Sequence, residues 1–444
     1  NDGLLFFDKR PVYYSHATHT VLAESELEYM NVETQTVYLK FKLENGLHLL
    51  VWTTQPWTLL GNVAVAVNEN FVYSVVSVNG EKMVTLNPEK LEYDKLEYTL
   101  KGSDLVGLKY FNPLTNKQSK VVHGNFVTMK DGTGAVHLCP QHGEEDYYLC
   151  KQLNLEYGEE LLDNDGCLKG TNLYCFTEGN LYVMNKLKEF NLFVKDEKLE
   201  HSYPHDWRTK TPVFYKLTKQ FFVDLNLLKD GVNNQLSKVE FNHSRYYNRL
   251  KSMMGNRKLW CLSRQRSWGL PLAVFLKEGE VFMPKDLQNH VMNLVEENGS
   301  NVWFNKNSED LLPEKYKNMG LVKCEYTVDV WFDSGTSWHS VLNDKQADVY
   351  LEGSDQHRGW FQSSLLTSVM YHSKAPYKKL VTHGFVLDSN GQKMSKSLGN
   401  VVDPLDVSKK YNTDVLRLSL LSVDYVNDVK MGDGLFKTAS EYYF

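Results

Sequence analysis

The sequence of 444 residues lacks several features that would place it in a special class. It has no apolar run near the roughly 20 residues that a membrane helix needs, so we expect no membrane-embedded segment. It shows no signal peptide. It also lacks an excess of basic residues, because 49 Lys and Arg stand against 55 Asp and Glu. Any contact with nucleic acid must therefore come from local patches, since the overall charge is −6.

Cysteine is scarce as well, and none of the six cysteines forms a C-x-x-C pair. A zinc ribbon requires that spacing, so we expect no structural metal. We expect free thiols, as in proteins of a reducing compartment. The cysteines are Cys139, Cys150, Cys167, Cys175, Cys261 and Cys324.

What is present is an ordinary globular composition, with 42% apolar and 23% charged residues. The length predicts two to four domains. Between residues 46 and 140, alternating and β-branched runs predict strands, and a helix is predicted to follow at Glu144–Leu153. The predicted strands are Leu49–Thr54, Asn62–Val67, Phe71–Val78 and Ala135–Leu138.

From residue 347 the pattern changes to strand, Gly-containing turn and helix. Asp348–Leu351 and Lys379–His383 are predicted strands. Phe361–His372 and Thr413–Val423 are predicted helices, the second with Thr413 as its N-cap. Alternating strands and helices indicate a parallel α/β sheet.

A basic and aromatic stretch lies between residues 201 and 270. It is the best local candidate for an RNA-facing surface, and a solvated polar face is an equally good interpretation of each member. Its members are His205, Trp207, Arg208, Lys210, Arg245, Arg249, Lys251, Arg264 and Arg266.

The most specific string is Q-K-M-S-K-S-L-G-N at residues 392–400. Two lysines flank a short, hydroxyl-bearing loop, which can fold over a triphosphate with its ammonium groups on the phosphate oxygens. Such charges act most strongly when negative charge moves onto departing pyrophosphate. A lone K-x-x-K would be better interpreted as a solvated basic loop. The full K-M-S-K-S string, however, resembles the signature of the class I aminoacyl-tRNA synthetases.

That resemblance implies an α/β fold with a Rossmann-type catalytic core, of which this chain holds the second half. It implies ATP with Mg²⁺ as the substrate that activates an amino acid before its transfer to tRNA. Lys393 and Lys396 would be catalytic, because they stabilise the pyrophosphate. The residues implied in ATP binding are Lys393, Met394, Ser395, Lys396, Ser397, His383, Gly384 and Phe385.

Three further strings indicate isoleucine as the amino acid. L-E-G-S-D-Q-H-R-G-W-F at 351–361 and W-T-T-Q-P-W-T at 52–58 resemble the isoleucyl enzymes. D-V-W-F-D-S-G at 329–335 is similar to the isoleucyl, valyl and leucyl enzymes alike. The valyl and leucyl versions of the 52–58 string usually carry an Arg and an acidic residue, which this chain lacks. The residues implied in binding the aminoacyl-adenylate are Glu352, Gly353, Asp355, Gln356, Trp360 and Trp331.

The resemblance also implies a second, hydrolytic site in an inserted, β-rich editing domain. One methylene separates isoleucine from valine and is worth about 1–3 kcal/mol to a hydrophobic pocket, a limit for which the isoleucyl enzymes are the standard illustration. By resemblance, Asp146 binds the free ammonium group of mischarged valine and His137 contacts the terminal ribose. Hydrolysis of an ester needs only an oriented water and stabilised charge. The implied editing residues are Thr53, Thr54, Gln55, Thr58, Asn62, His137 and Asp146.

Gln55 departs from the family pattern, because many bacterial isoleucyl enzymes have a third Thr at this position. The longer amide is expected to reshape the valine pocket or to alter the placement of water. Gln is more typical of organellar forms, so we expect the mitochondrial matrix, or else the bacterial cytoplasm, as the location. A metal site formed by His137, Cys139, His142 and Asp146 is a weaker alternative, because the spacing fits no common zinc pattern.

The family's other ATP signature, H-I-G-H, is absent, and so is an anticodon-binding domain. We expect the central part of a monomeric isoleucyl enzyme, with tRNA(Ile), isoleucine and ATP as partners. Alone, it should edit but not activate isoleucine. The predicted divisions are 1–20, the end of the first catalytic half; 21–200, the editing domain; 201–345, the return into the core; 346–400, the second catalytic half; and 401–444, the start of the stem toward the anticodon domain.

Two alternatives stay open. One is a valyl- or leucyl-tRNA synthetase, against which the 52–58 and 351–361 strings argue. The other is a non-catalytic, tRNA-binding paralogue that has lost its first half-site. The intact K-M-S-K-S string argues against it, because a decayed site would have no reason to keep both lysines.

Overall fold

The computed structural model describes residues 3–130, 132–396 and 398–444. Ser397, which we predicted to bind ATP, lies outside these described residues. The strands are β1 (Leu5–Ser15), β2 (Thr20–Leu22), β3 (Leu27–Lys42), β4 (His48–Thr53), β5 (Ala64–Val67), β6 (Val72–Val78), β7 (Glu81–Thr85), β8 (Lys95–Lys101), β9 (Lys109–Asn112), β10 (Lys117–His123), β11 (Ala135–Leu138), β12 (Phe193–Asp206), β13 (Phe214–Asp224), β14 (Glu240–Phe241), β15 (Leu259–Cys261), β16 (Ser263–Arg264), β17 (Phe275–Lys277), β18 (Glu280–Phe282), β19 (Val322–Lys323), β20 (Thr327–Val328), β21 (Ala347–Gly353), β22 (Tyr377–His383), β23 (Val386–Leu387) and β24 (Val429–Lys430).

The α-helices are α1 (Glu144–Gln152), α2 (Asn180–Glu189), α3 (Lys229–Leu236), α4 (Ser244–Asn256), α5 (Lys285–Asn298), α6 (Asn301–Asn305), α7 (Ser308–Leu311), α8 (Val330–Gly335), α9 (Ser337–Ser340), α10 (Trp360–His372), α11 (Pro404–Tyr411), α12 (Thr413–Leu421) and α13 (Asp433–Tyr443). Short helical turns of other types occur at Glu24–Glu26, Pro56–Gly61, Pro88–Lys90, Gly102–Asp104, Cys175–Gly179, Leu225–Leu228, Glu314–Tyr316 and Ser354–His357.

Two sheets form a β-rich part between residues 27 and 206. One has six strands in the order β12-β3-β4-β7-β6-β8, and the other has four in the order β11-β5-β10-β9. All four side chains of β5 are buried, as a continuous apolar run between two neighbouring strands predicts. The strands predicted from residue 49 to residue 138 are confirmed to within two residues at each end.

A long antiparallel ribbon connects the β-rich part to the rest of the chain. It consists of β3 and β12, which pair from Leu39 opposite Phe193 to Leu27 opposite Asp206. β13 follows β12 closely and pairs with β1 in a separate four-stranded sheet. The end of β12 at Asp206 therefore lies where the chain leaves the β-rich part and enters the four-stranded sheet.

A parallel sheet of three strands, in the order β14-β22-β21, follows later in the chain. α10 packs on it, and the hydroxyl of Tyr377 donates to the carbonyl of Phe361 at 2.8 Å. The predicted parallel α/β arrangement is therefore confirmed. Gly353 at the end of β21 lies beside His383 at the end of β22. The carboxyl ends of the strands thus meet at one edge, where ligands bind to sheets of this kind.

Two details of the sequence prediction are wrong. Asn412, and not Thr413, is the N-cap of α12, because its side chain accepts from the backbone N–H of Asp414. Arg264 and His205 do not face RNA, since they are only 2% and 5% exposed. The sequence pattern could not show this, because the side chains that cover these two residues come from distant segments.

Arg264 instead forms the centre of a buried ion network. Its guanidinium donates to Glu26 at 3.0 Å and to Asp329 at 2.9 Å. Asp329 also accepts from the indole N–H of Trp260 at 2.8 Å, and it caps α8 by accepting from the backbone N–H of Trp331. The network therefore ties the start of the ribbon to the helix that carries Trp331.

All six cysteines are free thiols, as predicted. Within the described ranges, no helix combines the length and the apolar character that a membrane crossing requires.

Candidate active sites

A cavity of about 330 Å³ opens in the β-rich part, beside the carboxyl end of β4. Thr53 ends that strand, and the helical turn Pro56–Gly61 follows it. β11 contributes His137, and the first turn of α1 contributes Asp146. The structure thus brings distant predicted residues to one place. The predicted residues that line the cavity are Thr53, Thr54, Gln55, Thr58, His137 and Asp146.

A hydrogen-bonded pair of side chains fixes the protonation of His137. The hydroxyl of Thr58 donates to the carbonyl oxygen of Gln55 at 2.7 Å. A hydroxyl has one proton and a carbonyl only accepts, so His137 Nε2, at 2.8 Å, donates to Thr58. Burial lowers the pKa of His137 to about 4, so the ring is neutral at physiological pH. Thr58 and His137 therefore shape the cavity wall by bonding to each other.

Asp146 places a carboxylate at the same cavity. Its Oδ2 accepts from the backbone N–H of Cys139 at 2.8 Å. Burial raises the pKa of Asp146 to about 6, so the group is mostly ionised at neutral pH and protonated in mild acid. The first turn of a helix such as α1 also favours negative charge. An ionised carboxylate in this position can bind a cation such as an α-ammonium group.

Gln55, the departure from the family pattern, is held from outside the cavity. Its Nε2 donates to the hydroxyl of Tyr203 on β12 at 2.8 Å. That hydroxyl donates to the carbonyl of Val213 at 2.9 Å. Nothing in the sequence singled out Tyr203, because its contact with Gln55 spans 148 residues of chain.

Asn62 was predicted in this site, and the structure corrects that prediction. Its side chain donates to the carbonyl of Ala64 at 2.8 Å and accepts from the Tyr110 hydroxyl at 2.7 Å and from Asn112 at 3.1 Å. It is not among the cavity-lining residues. Asn62 therefore supports the fold between strands and is not available to a ligand there.

Other parts of the cavity wall carry no sequence signal. Phe126, Val127 and Thr128 line it from the connection between β10 and β11, which has no regular pattern. Gly134 is required by geometry, because its φ is +76° and a Cβ there would lie 2.4 Å from the Cβ of Leu86. A larger residue at that position would push the backbone at 134 away from Leu86.

A metal site would need Cys139 as a thiolate and several ligand atoms that converge on one point. His142 Nδ1 donates to the carbonyl of Tyr215 at 2.6 Å, which leaves only its Nε2 as a possible ligand atom. Burial raises the pKa of the Cys139 thiol, which keeps it protonated. Across the described part of the chain, no group of three or more His, Cys, Asp or Glu side chains is arranged to hold a metal.

A second candidate site lies at the carboxyl edge of the parallel sheet. A Cβ on Gly353 would lie 3.6 Å from the His383 ring and 3.8 Å from that of Phe385, so the predicted adenylate and ATP residues adjoin there. Gly384 leaves room for a close approach of the backbone, because a Cβ would lie 2.2 Å from the carbonyl carbon of Asn427. Glu352 accepts from the backbone N–H of Gly353 at 3.1 Å.

The two predicted tryptophans both lie close to the start of α10. A Cβ on Gly359 would lie 2.6 Å from the Trp331 ring, so the indole packs directly over the glycine. Trp360 stacks on Tyr350 with a centroid distance of 3.9 Å. Gln356 Oε1 accepts from the backbone N–H of Trp360 at 3.0 Å. The stacking on Tyr350 fixes the orientation of the Trp360 ring.

Asp355, predicted beside them, precedes Gln356 in the turn after β21. Its Oδ2 accepts from Gln356 Nε2 at 3.4 Å. The amide of Gln356 therefore connects this carboxylate to the start of α10.

The described residues of the lysine-containing loop, 392–396 and 398–400, lie next to that edge. Lys393 Nζ is 5.1 Å from the centre of the Phe385 ring. Lys393 and Lys396 are both exposed, so their charges are accessible to a ligand. Ser395 donates its backbone N–H to Asn400 at 2.9 Å, which holds the loop closed.

Met394 in this loop has a structural role, and its contact with ATP stays a prediction. Its side chain packs against a small core formed by Val407, Met431 and Phe436. Its sulfur accepts from the backbone N–H of Val402 at 3.5 Å. Met394 therefore anchors the loop that carries the lysines.

Comparison with known proteins agrees with this picture. The isoleucine–tRNA ligase of Mycoplasmopsis agalactiae is 39% identical and aligns with 100% of this chain and 52% of its own length. That of Halalkalibacterium halodurans is 41% identical, covering 99% of this chain and 51% of the relative. That of Cyanothece sp. is 40% identical, covering 99% and 51%. The chain spans about half the length of the curated relatives it matches.

The family model of class I tRNA synthetases for I, L, M and V matches residues 1–432. That match includes both the cavity in the β-rich part and the carboxyl edge of the parallel sheet. The chain therefore belongs to the class I tRNA synthetases of the isoleucyl, leucyl, methionyl and valyl group.

Proposed function

We propose that this chain is part of an isoleucine–tRNA ligase, and that the cavity around Asp146 is its hydrolytic editing site. The names of the relatives and the strings at 52–58 and 351–361 support isoleucine as the amino acid. One observation carries the editing proposal. The cavity combines a mostly ionised carboxylate with a neutral imidazole and threonine hydroxyls, and its thiol, Cys139, is kept protonated by burial.

Such a cavity suits direct attack of water on an aminoacyl ester. The oxygen of water bonds to the acyl carbon, and the bond from that carbon to the ribose oxygen breaks. One proton of the water ends on the ribose oxygen, and the released amino acid loses the other to solvent. Asp146 binds the α-ammonium group and so places the ester carbon. Thr53 and Thr54 supply hydroxyls near it.

For the whole protein we propose activation of isoleucine with ATP, followed by transfer to tRNA(Ile). Mg²⁺ would enter with the ATP as part of the substrate. Lys393 and Lys396 would stabilise the negative charge on pyrophosphate as it leaves. Phe385 and Gly384 would receive the adenine, and Trp331 and Trp360 would receive the isoleucine side chain.

The experiment that tests the editing proposal compares two substrates. We expect this chain to hydrolyse valyl-tRNA(Ile) at least roughly tenfold faster than isoleucyl-tRNA(Ile), because a site that excludes one methylene discriminates by that order. Release of the labelled amino acid is measured against the rate without protein. Equal rates for the two esters would contradict the assignment of specificity. No hydrolysis of either by the full-length protein would contradict the editing function.

Hydrolysis should depend on pH through Asp146. Burial raises the pKa of Asp146 to about 6, and only the ionised form attracts the ammonium group. The catalytic efficiency (kcat/KM) should therefore fall by roughly tenfold from about pH 7 to about pH 5. His137 contributes little to this change, because its pKa of about 4 lies below this range. The measurement is the pH profile after subtraction of spontaneous hydrolysis, and a flat profile would exclude Asp146 as the titrating group.

A further inference from the structure

The amide of Gln55 is held in a single orientation by Tyr203. Gln55 Nε2 lies 2.8 Å from the tyrosine hydroxyl, which lies 2.9 Å from the carbonyl oxygen of Val213. A hydroxyl has one proton, and a carbonyl oxygen only accepts, so the proton of Tyr203 goes to Val213. Tyr203 must then accept from Gln55, and the amide must turn its NH₂ group toward the tyrosine.

The surroundings keep this chain of bonds in place. Val213 is fully buried, so its carbonyl oxygen does not turn toward solvent and stays bonded to Tyr203. The Tyr203 ring packs edge-on against Phe176 at 5.7 Å and against His205 at 6.0 Å. Burial raises the pKa of Tyr203, so its hydroxyl stays protonated and continues to donate to Val213.

The other end of the amide is left to the cavity. Gln55 is one of the lining residues, and no described residue donates a hydrogen bond to its Oε1. This oxygen is not sealed in the interior either, since it is not among the buried polar atoms that lack a partner. Position 55, where the family pattern has a third threonine, therefore presents a fixed hydrogen-bond acceptor in this chain. A threonine there would present a hydroxyl that rotates.

We propose that Tyr203 is a positioning residue of the editing site: it turns Gln55 so that Oε1 faces the cavity and accepts a hydrogen bond from the attacking water. The inference rests on the proposed editing function. An α-ammonium group in the cavity is drawn to the charged carboxylate of Asp146, so the neutral amide oxygen serves the water. By accepting a hydrogen bond from one O–H of the water, Gln55 directs a lone pair of the water toward the acyl carbon.

A double-mutant cycle tests this role. Tyr203→Phe keeps the ring but removes the hydroxyl that orients the amide. We expect kcat for valyl-tRNA(Ile) to fall roughly fivefold to tenfold with little change in KM, which is the factor of one net hydrogen bond. The Gln55→Thr background is the matched control, because the shorter side chain has no amide for Tyr203 to orient. There, Tyr203→Phe should change kcat by less than about twofold. The loss of the bond to Val213 occurs in both backgrounds and cancels in the cycle.

Three outcomes would overturn the inference. The first is an equal loss in both backgrounds, which would show a merely structural role. The second is a rise in KM with unchanged kcat, which would assign Gln55 to the ammonium group. The third is independent of hydrolysis: a high-resolution crystal structure in which no water contacts Gln55 Oε1, or in which Tyr203→Phe leaves that water in place. If the wild-type protein is inactive but its crystal structure shows an ordered water on Oε1, the result would count against the editing function and not against the positioning role of Tyr203.

Discussion

Replacing Asp146 with Ala is expected to lower the hydrolysis of valyl-tRNA(Ile) by about a hundredfold, the factor of a lost charged hydrogen bond of about 3 kcal/mol. Asp146 lies in the cavity with its Oδ2 fixed by the N–H of Cys139. Without its carboxylate the ammonium group has no counter-ion, and the ester is no longer placed for attack. The measurement is single-turnover release of valine from the charged tRNA.

Asp146→Asn separates this loss from unfolding. The asparagine oxygen can still accept from Cys139, but it carries no charge. Burial raises the pKa of Asp146 in the folded protein to about 6, above the roughly 3.9 of an unfolded chain. The folded state therefore binds more protons between these values, and the ionised carboxylate costs stability above them. At neutral pH the Asn variant should melt no lower than the wild type while its hydrolysis is lost.

Glu144→Ala is the matched control, because Glu144 lies in the same turn of α1 but does not line the cavity. Its hydrolysis rate should stay within about twofold of the wild type, as for a surface substitution away from the site. If the Asn variant hydrolyses valyl-tRNA(Ile) as fast as the wild type, the carboxylate has no role in binding the ammonium group.

Replacing Arg264 with Met is expected to have the largest effect on stability. Arg264 donates to both Glu26 and Asp329, and all three side chains are buried. Removing the cation leaves the buried Asp329 without its ion-pair partner and leaves Glu26 with only Arg266, 3.8 Å away. Breaking a buried pair in this way costs about 3–5 kcal/mol. The apparent melting temperature should fall by roughly 6–20 °C for a cost of this size. The measurement is thermal denaturation followed by circular dichroism.

Two comparisons identify the cause of that loss. Adding Glu26→Gln and Asp329→Asn to Arg264→Met should restore part of the melting temperature, because the unpaired charges are then removed. Lys186→Met breaks an exposed pair with Glu189, and it should change the melting temperature little, since exposed pairs contribute about 0–1 kcal/mol. A small effect of Arg264→Met would mean that the carboxylates find other partners.

The two sites differ in how much of them the sequence predicts. The lysine loop and the Gly353 turn are continuous strings, so local order alone places Gln356 just after β21 and Lys393 in the loop that follows β23. The editing cavity is assembled from four segments. Its predicted members were found by resemblance, and the prediction failed for Asn62, whose amide is used by Ala64, Tyr110 and Asn112. Sequence order does not show which polar groups form hydrogen bonds with one another in the folded chain.

By itself, the sequence determined the class of the fold and the family. Hydrophobic period and turn residues are local properties, so they predict β5 and α10 without knowledge of any partner. Only the tertiary structure decided the state of the functional groups. The neutral ring of His137, the raised pKa of Asp146, the orientation of Gln55 and the burial of Arg264 all depend on groups far away in the chain. Burial and hydrogen bonding act through space, and these contacts exist only once the chain has folded.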